Sequence, residues 1–257
     1  MFETTILAIL QGVTEFLPVS SSGHLVIAQH LLGVDAPRMR LDIFLHLGTL
    51  VAIFAYYRKT ISSLSLGAFS RNPATRIAAW LYAAKLAVSA VPAAIVYFLF
   101  KEDIEGLFEN ARMVGALLMF TGAVLAGTRY LPRGTKDVNF LRALLMGCCQ
   151  ALALLPGVSR SGMTLAGARG GRVDAGKAAE FSFLMSAPLI IGASLLELFK
   201  GAHDGSPGWG LTLYGLALSA IVGYFSLALL VRTLKGKRFW LFGAYCFIAG
   251  LCTLVFV

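Results

Sequence analysis

Of the chain's 257 residues, 58% are hydrophobic and only 14% charged, and the mean hydropathy is +0.77. Soluble domains carry about a quarter charged residues, so this composition excludes an ordinary soluble fold and points to an integral membrane protein. The net charge of +9 would fit nucleic acid if it formed one patch. The Lys and Arg residues instead fall in short segments between apolar runs, as cytoplasmic retention of basic loops requires, so no nucleic-acid partner is expected.

The opening "MFETTILAIL" has neither a basic leader nor a small-residue cleavage site and reads as part of the mature protein. In chain order, an apolar stretch over 3–33 is interrupted by "LPVSSSG". Spans follow at 41–57, 79–100 and 112–131. A second interrupted stretch, 140–172, breaks at "LPGVSRSG" and is followed by spans at 180–199, 210–232 and 238–256. Crossing the hydrocarbon core takes about 20 apolar residues. The halves flanking each break are too short for that, so both stretches read as re-entrant hairpins, their irregular backbone facing protein or a wet cavity. Cys148, Cys149, Cys246 and Cys252 lie in apolar runs without zinc or disulfide spacing and read as small buried hydrophobes.

Basic residues orient the chain. Arg58, Lys59, Arg71 and Arg76 follow the first span, Arg129, Arg133, Lys136 and Arg142 the third, and Arg232, Lys235, Lys237 and Arg238 the fifth. The loop "KEDIEGLFENAR" is acid-rich and "KGAHDGSPGWG" nearly neutral. The basic loops are therefore expected in the cytoplasm and both termini outside, with Arg38 and Arg40 running against the rule. Laid over each other without gaps, the two breaks match Gln11 with Gln150, Val19 with Val158, Ser20 with Ser159, Ser22 with Ser161 and Gly23 with Gly162. Each hairpin is followed by three spans, an odd number of crossings, so the second copy is expected to be inverted. The expected fold is one all-α polytopic membrane domain over 1–257 with an inverted-topology repeat. Its halves, about 1–131 and 139–257, each join a re-entrant hairpin to three transmembrane helices.

The polar residues at the breaks carry the chemistry. Gln11 and Glu15, four apart, share a helix face. Ser20, Ser21, Ser22 and Ser159 are suited to capping new helices after the breaks, and those helix N-termini attract anions, phosphate above all. Arg160 adds a forked, permanent charge. A charge at bilayer depth costs on the order of 3 kcal/mol, so Glu15 and Arg160 need a reason to be there. One reason is a structural lock between the hairpins; the other is phosphoryl chemistry. In the second, Ser21 is a nucleophile with His24 or Glu15 as base, and Arg160 and the helix ends hold the phosphoryl oxygens. A divalent ion held by Glu15, with Gln11 assisting, suits a pyrophosphate substrate. His46 reads as a histidine satisfied by a neighbouring helix, and His30 and His203 as interfacial.

At these residues the sequence resembles the bacterial undecaprenyl-diphosphate phosphatase family, also called bacitracin-resistance proteins. The family's (E/Q)xxxE motif reads Gln11 to Glu15 and runs into Pro18 to His24; its PGxSRSxxT motif reads Pro156 to Thr164. The resemblance implies an inner-membrane enzyme that hydrolyses undecaprenyl diphosphate to undecaprenyl phosphate and inorganic phosphate. That reaction recycles the carrier for peptidoglycan and confers bacitracin resistance. It further implies dependence on a divalent cation, Mg or Ca, and an active site open to the periplasm. Glu15, Ser21, His24, Ser159, Arg160 and Thr164 are the functional positions by motif match, with Ser20, Ser22 and Ser161 beside them around the phosphates. Gln11 is an amide where a carboxylate would be a stronger metal ligand. Ser21 and His24 are alternative nucleophiles. Expected partners are a polyprenyl diphosphate, membrane lipid and a second copy of the chain in a homodimer. The competing class is a transporter or flippase of a lipid-linked phosphate.

Overall fold

The structure, a computed structural model, describes residues 1–33, 39–199, 207–234, 236 and 238–256. Eleven α-helices are resolved among them: α1 (Phe2–Thr14), α2 (Ser21–Leu31), α3 (Met39–Tyr56), α4 (Arg58–Ala68), α5 (Pro73–Leu107), α6 (Ala111–Gly127), α7 (Phe140–Leu152), α8 (Arg160–Gly170), α9 (Ala175–Phe199), α10 (Trp209–Leu234) and α11 (Leu241–Phe256). No strand occurs among the described residues; two isolated bridges, Gly134 with Asp174 and Lys136 with Val173, tie the α6–α7 loop to the α8–α9 turn. The chain is a polytopic all-α membrane protein.

Local chemistry sets the helix starts. Asparagine side chains cap α5, α6 and α7: Asn72 accepts from the Ala74 amide, Asn110 from Met113 and Asn139 from Arg142. Pro73 occupies the first position of α5, where no amide hydrogen is needed. Pairs of helices then close on small residues. A methyl on Gly115 would lie 3.0 Å from the Gly250 carbonyl oxygen, and one on Gly122 would lie 2.8 Å from that of Gly243, so α6 and α11 approach backbone to backbone. α3 packs on α10, α1 on α10 and α5 on α7. Ile77, Trp80, Val91, Ile95 and Phe98 stand exposed along α5, as a face against lipid tails requires.

The six expected spans are not all realised as straight helices. Four helices, including the 35-residue α5, are long and apolar enough to cross, and the bent pair α3–α4 makes five. The pair bends by 73° at Tyr57, turning α4 aside; its serines and its Arg58–Lys59 start weaken the apolar signal, so the sequence did not mark it as a helix. The expected sixth span is the 16-residue α11, about 24 Å long and short of the core's thickness. Arg40, the exception to the charge rule, is held locally: Nη2 donates to the Pro207 carbonyl at 2.6 Å and the guanidinium lies 5.0 Å from the Trp209 ring centre. Arg38, His203, Lys235 and Lys237 lie outside the described residues. The cysteine expectation needs correction: Cys246 is buried, whereas Cys148 and Cys252 are exposed on helix faces.

Both interrupted segments break as expected, and their loops meet at the centre of the packing. Phe16 and Phe183, both fully buried, meet edge to face at 5.5 Å, joining the first loop to α9. The second loop turns at Gly157, whose φ of +93° suits glycine and whose missing side chain leaves room for the Val114 carbonyl. Gly157→Ala is therefore expected to cost about 3 kcal/mol, a fall in Tm on the order of 10 °C. A melting curve of the purified variant superimposable on that of the parent would contradict this.

Candidate active site

The first hairpin supplies an acid, an amide and a hydroxyl from one short stretch. Gln11 and Glu15 stack along α1, and Gln11 Nε2 donates to Glu15 Oε2 at 3.2 Å. After the break, Ser20 adopts φ 68°, an uncommon conformation for a residue with a side chain, and its Oγ accepts from the Gly23 amide at 3.3 Å. That turn aims Ser21 back at the acid: its Oγ donates to Glu15 Oε2 at 2.5 Å.

The second hairpin repeats the cap and brings the cation. Ser159 Oγ accepts from the Gly162 amide at 3.1 Å, so α8 starts with Arg160 at its positive end. Arg160 Nη2 donates to Glu15 Oε1 at 2.6 Å. The side chains are 16% and 6% exposed, so the pair is shielded from water. The guanidinium also lies 5.7 Å from the centre of the Phe183 ring. Thr121 on α6 braces the loop, donating to the Gly157 carbonyl at 2.9 Å and accepting from the Ser159 amide at 3.1 Å. Ser161 donates to the Leu17 carbonyl at 3.2 Å, stitching one loop to the other. A methyl on Gly23 would lie 3.0 Å from Gly157 Cα, so both new helices begin side by side.

The remaining expected residues take distinct places. Ser22 lies 3.4 Å from Ser20 and Ser161 3.3 Å from Ser159, oxygen to oxygen, so each cap has a hydroxyl neighbour. Thr164 donates to the Arg160 carbonyl at 2.8 Å and shares a 2.6 Å hydrogen bond with Ser182. His24 turns toward α11. Its Nδ1 lies 2.8 Å from the Ser20 carbonyl, which can only accept, so Nδ1 carries the proton. Nε2 is then the acceptor for the Tyr245 hydroxyl at 2.8 Å, and the two rings are parallel to within 9°. Tyr245 also lines an apolar cavity of about 470 Å³ with Leu17, Val19, Leu241 and Phe242, directly beside the first loop.

Sequence reasoning passed over four residues of this site: His46, Thr121, Ser182 and Tyr245. His46 Nε2 stands 3.9 Å from Glu15 Oε2, and its Nδ1 is engaged by the Asp42 carbonyl at 2.8 Å. Its place in an apolar span with an acid one turn earlier was the available signal. The other three had none, since a hydroxyl or phenol in a membrane helix is ordinary.

The sequence that builds this arrangement has known relatives. The family model "Bacitracin resistance protein BacA" matches residues 4–252. The chain belongs to this family. It is 37% identical to an undecaprenyl-diphosphatase of Desulforapulum autotrophicum, over 99% of this chain and 98% of the relative. It is 38% identical to one of Desulfosudis oleivorans, over 97% and 96%, and 37% identical to one of Methanosphaera stadtmanae, over 97% and 95%. The matched range takes in both loops that meet here. In this member Tyr245 donates to the His24 nitrogen that the Ser20 carbonyl leaves unprotonated. Tyr245→Phe is expected to lower kcat between about three- and tenfold, the worth of one hydrogen bond, and to shift the ¹⁵N resonance of His24 Nε2 while Nδ1 keeps its proton. An unchanged kcat together with an unchanged Nε2 resonance would remove Tyr245 from the site.

Proposed function

We infer that this chain hydrolyses undecaprenyl diphosphate to undecaprenyl phosphate and inorganic phosphate, as the names of its BacA-family relatives indicate. That reaction returns the lipid carrier to peptidoglycan synthesis and underlies resistance to bacitracin. The observation that carries the chemistry is the chain of short bonds from the Ser21 hydroxyl through the Glu15 carboxylate to Arg160, at 2.5 and 2.6 Å. A serine hydroxyl is a weak nucleophile until a base takes its proton, and Glu15 is in place to do so.

The steps follow from these contacts. The terminal phosphate of the substrate enters beside the N-termini of α2 and α8, where the first amides have no intrahelical acceptor. It competes with Glu15 for the Arg160 guanidinium, leaving the carboxylate to the Ser21 proton. Ser21 Oγ, its proton taken by Glu15, attacks the terminal phosphorus and the bridging P–O bond breaks; undecaprenyl phosphate leaves with the proton that Glu15 passes to its oxygen, and a phosphoserine remains. Water, deprotonated by the freed Glu15 carboxylate, then attacks that phosphorus, and the P–Oγ bond breaks to release inorganic phosphate while Glu15 returns that proton to the serine oxygen. His24, held on Tyr245, flanks this serine as a polar wall, not as its base.

A divalent cation, Mg or Ca, fits in a restricted way. Gln11 Oε1 is buried without a hydrogen-bond partner beside Glu15, an oxygen free to meet a cation. No group of three His, Cys, Asp or Glu side chains gathers among the described residues, so Glu15 and Gln11 would supply two ligands and the diphosphate and water the rest. This is the manner in which magnesium commonly binds phosphates, and it would offset the charge of the diphosphate.

We propose the bacterial inner membrane as the location, with the site open to the periplasm; the basic loops after α4, α6 and α10 support that orientation. Several features support the two inverted repeats. Ser20 and Ser159 make the same cap bonds, α1 on α10 is matched by α5 on α7, and Gly115 and Gly122 meet Gly250 and Gly243 in reverse order. We propose a homodimer, measurable by sedimentation. Transport alone is not favoured, since a hydroxyl set on a carboxylate serves no purpose in anion passage. The direct test is phosphate release from C15 and C55 prenyl diphosphates by detergent-purified protein. Release with magnesium or calcium and its loss with chelator are expected; no release with either metal would overturn the assignment.

A further inference from the structure

The packing of the helices leaves an apolar space unfilled. α11 lies along α6 and α1 along α10, and a cavity of about 470 Å³ separates α1 from α11. Val13 and Leu17 line it from the first hairpin, Leu241 and Phe242 from α11. Its hydroxyls are spent locally: Thr14 donates to the Leu10 carbonyl at 2.7 Å, Thr233 to the Leu230 carbonyl at 2.8 Å and Tyr245 to His24 at 2.8 Å. A space with such walls stays dry, and hydrocarbon is what fits it. One end is cationic. Arg238, exposed in the α10–α11 linker, lines the cavity beside Thr233. Among the described residues no hydrogen bond or ion pair engages its guanidinium.

The charge around that end has one sign. The linker carries Arg232, Lys235, Lys237 and Arg238 and no acid. Trp240, just beyond it, lies with its ring centre 4.9 Å from the Arg129 guanidinium. A tryptophan among basic residues at the start of an apolar helix marks the depth of lipid headgroups. A guanidinium with all its donors unspent at that depth is matched by the oxygens of a phosphate. We propose that the cavity binds one anionic phospholipid, an acyl chain lying between α1 and α11 and the phosphate on Arg238. The apolar walls accept the chain of any lipid, and the linker's charge selects a headgroup that is net negative over a zwitterionic one. The bound chain rests on Leu17 and Val19 of the first loop and on Tyr245, the partner of His24. The lipid thus braces the loop that carries Ser21, whichever phosphate ester the protein cleaves.

The test is native mass spectrometry of the full detergent-purified chain, with melting temperatures taken in the same mixtures. The chain is titrated with phosphatidylglycerol, with phosphatidylcholine of the same acyl chains, or with undecaprenyl phosphate. One phosphatidylglycerol is expected to bind per chain, about fivefold more tightly than phosphatidylcholine, and to raise Tm by about 5 °C at saturation. Arg238→Gln should remove that preference. Leu241→Trp, which fills the cavity and leaves every charge in place, should abolish tight binding of both phospholipids. Equal binding of the two by the parent, a preference retained in Arg238→Gln, or tight binding kept in Leu241→Trp would each overturn the site. Tighter binding of undecaprenyl phosphate than of phosphatidylglycerol would overturn it too, making the cavity a place for a prenyl chain.

Discussion

Glu15→Gln is expected to lower kcat by about 10²–10⁴-fold, the usual worth of a general base. Glutamine keeps the size and the hydrogen bond from Ser21 but cannot take its proton. The same change strips Arg160 of its partner in a shielded site, where the Glu15 side chain is 6% exposed. Loss of one member of such a pair costs on the order of 3–5 kcal/mol. The single variant should therefore be both slow and less stable. Adding Arg160→Gln removes the orphaned charge as well, so the double variant should melt close to the parent yet stay inactive. Rates and melting curves of the parent and the two variants separate the two roles of the pair. Were it only a lock between hairpins, the stable double variant would recover turnover; near-parental release by either variant would take Glu15 out of the reaction.

Much of this site was legible in the sequence because lipid makes polarity conspicuous. A glutamate and an arginine at bilayer depth, each beside a proline break and a run of serines, need a shared purpose, and the fold places them 2.6 Å apart. The hairpin breaks could be read for the same reason: proline and glycine leave backbone groups that only protein or water can satisfy. What escaped is what depends on packing between distant segments. Tyr245 meets His24 from 221 residues away, and no periodicity marks it. His46 was set aside because a lone histidine in an apolar span is ordinarily satisfied by its neighbours, and only the path of α3 past the first loop gives it Glu15. The α3–α4 bend was hidden because a hydropathy run reports total apolar content and not direction. The missing glycine and proline at Tyr57 removed the usual sign of a turn.

Arg160→Lys asks whether charge alone is enough. Lysine retains the positive charge at the start of α8, so Glu15 keeps a counter-ion and the fold should remain intact. It presents one compact ammonium where the guanidinium offers a planar fork matched to two phosphoryl oxygens. Ground-state attraction of the diphosphate should survive in part, while stabilisation of charge building on the equatorial oxygens should not. The expected outcome is a fall in kcat of about 10²–10³-fold with a much smaller change in KM and a melting temperature close to that of the parent. If the lysine variant kept kcat within tenfold of the parent, the fork would be irrelevant and a point charge at the start of α8 would suffice. A large rise in KM at constant kcat would instead mean that Arg160 binds substrate and transition state equally, contributing capture without acceleration.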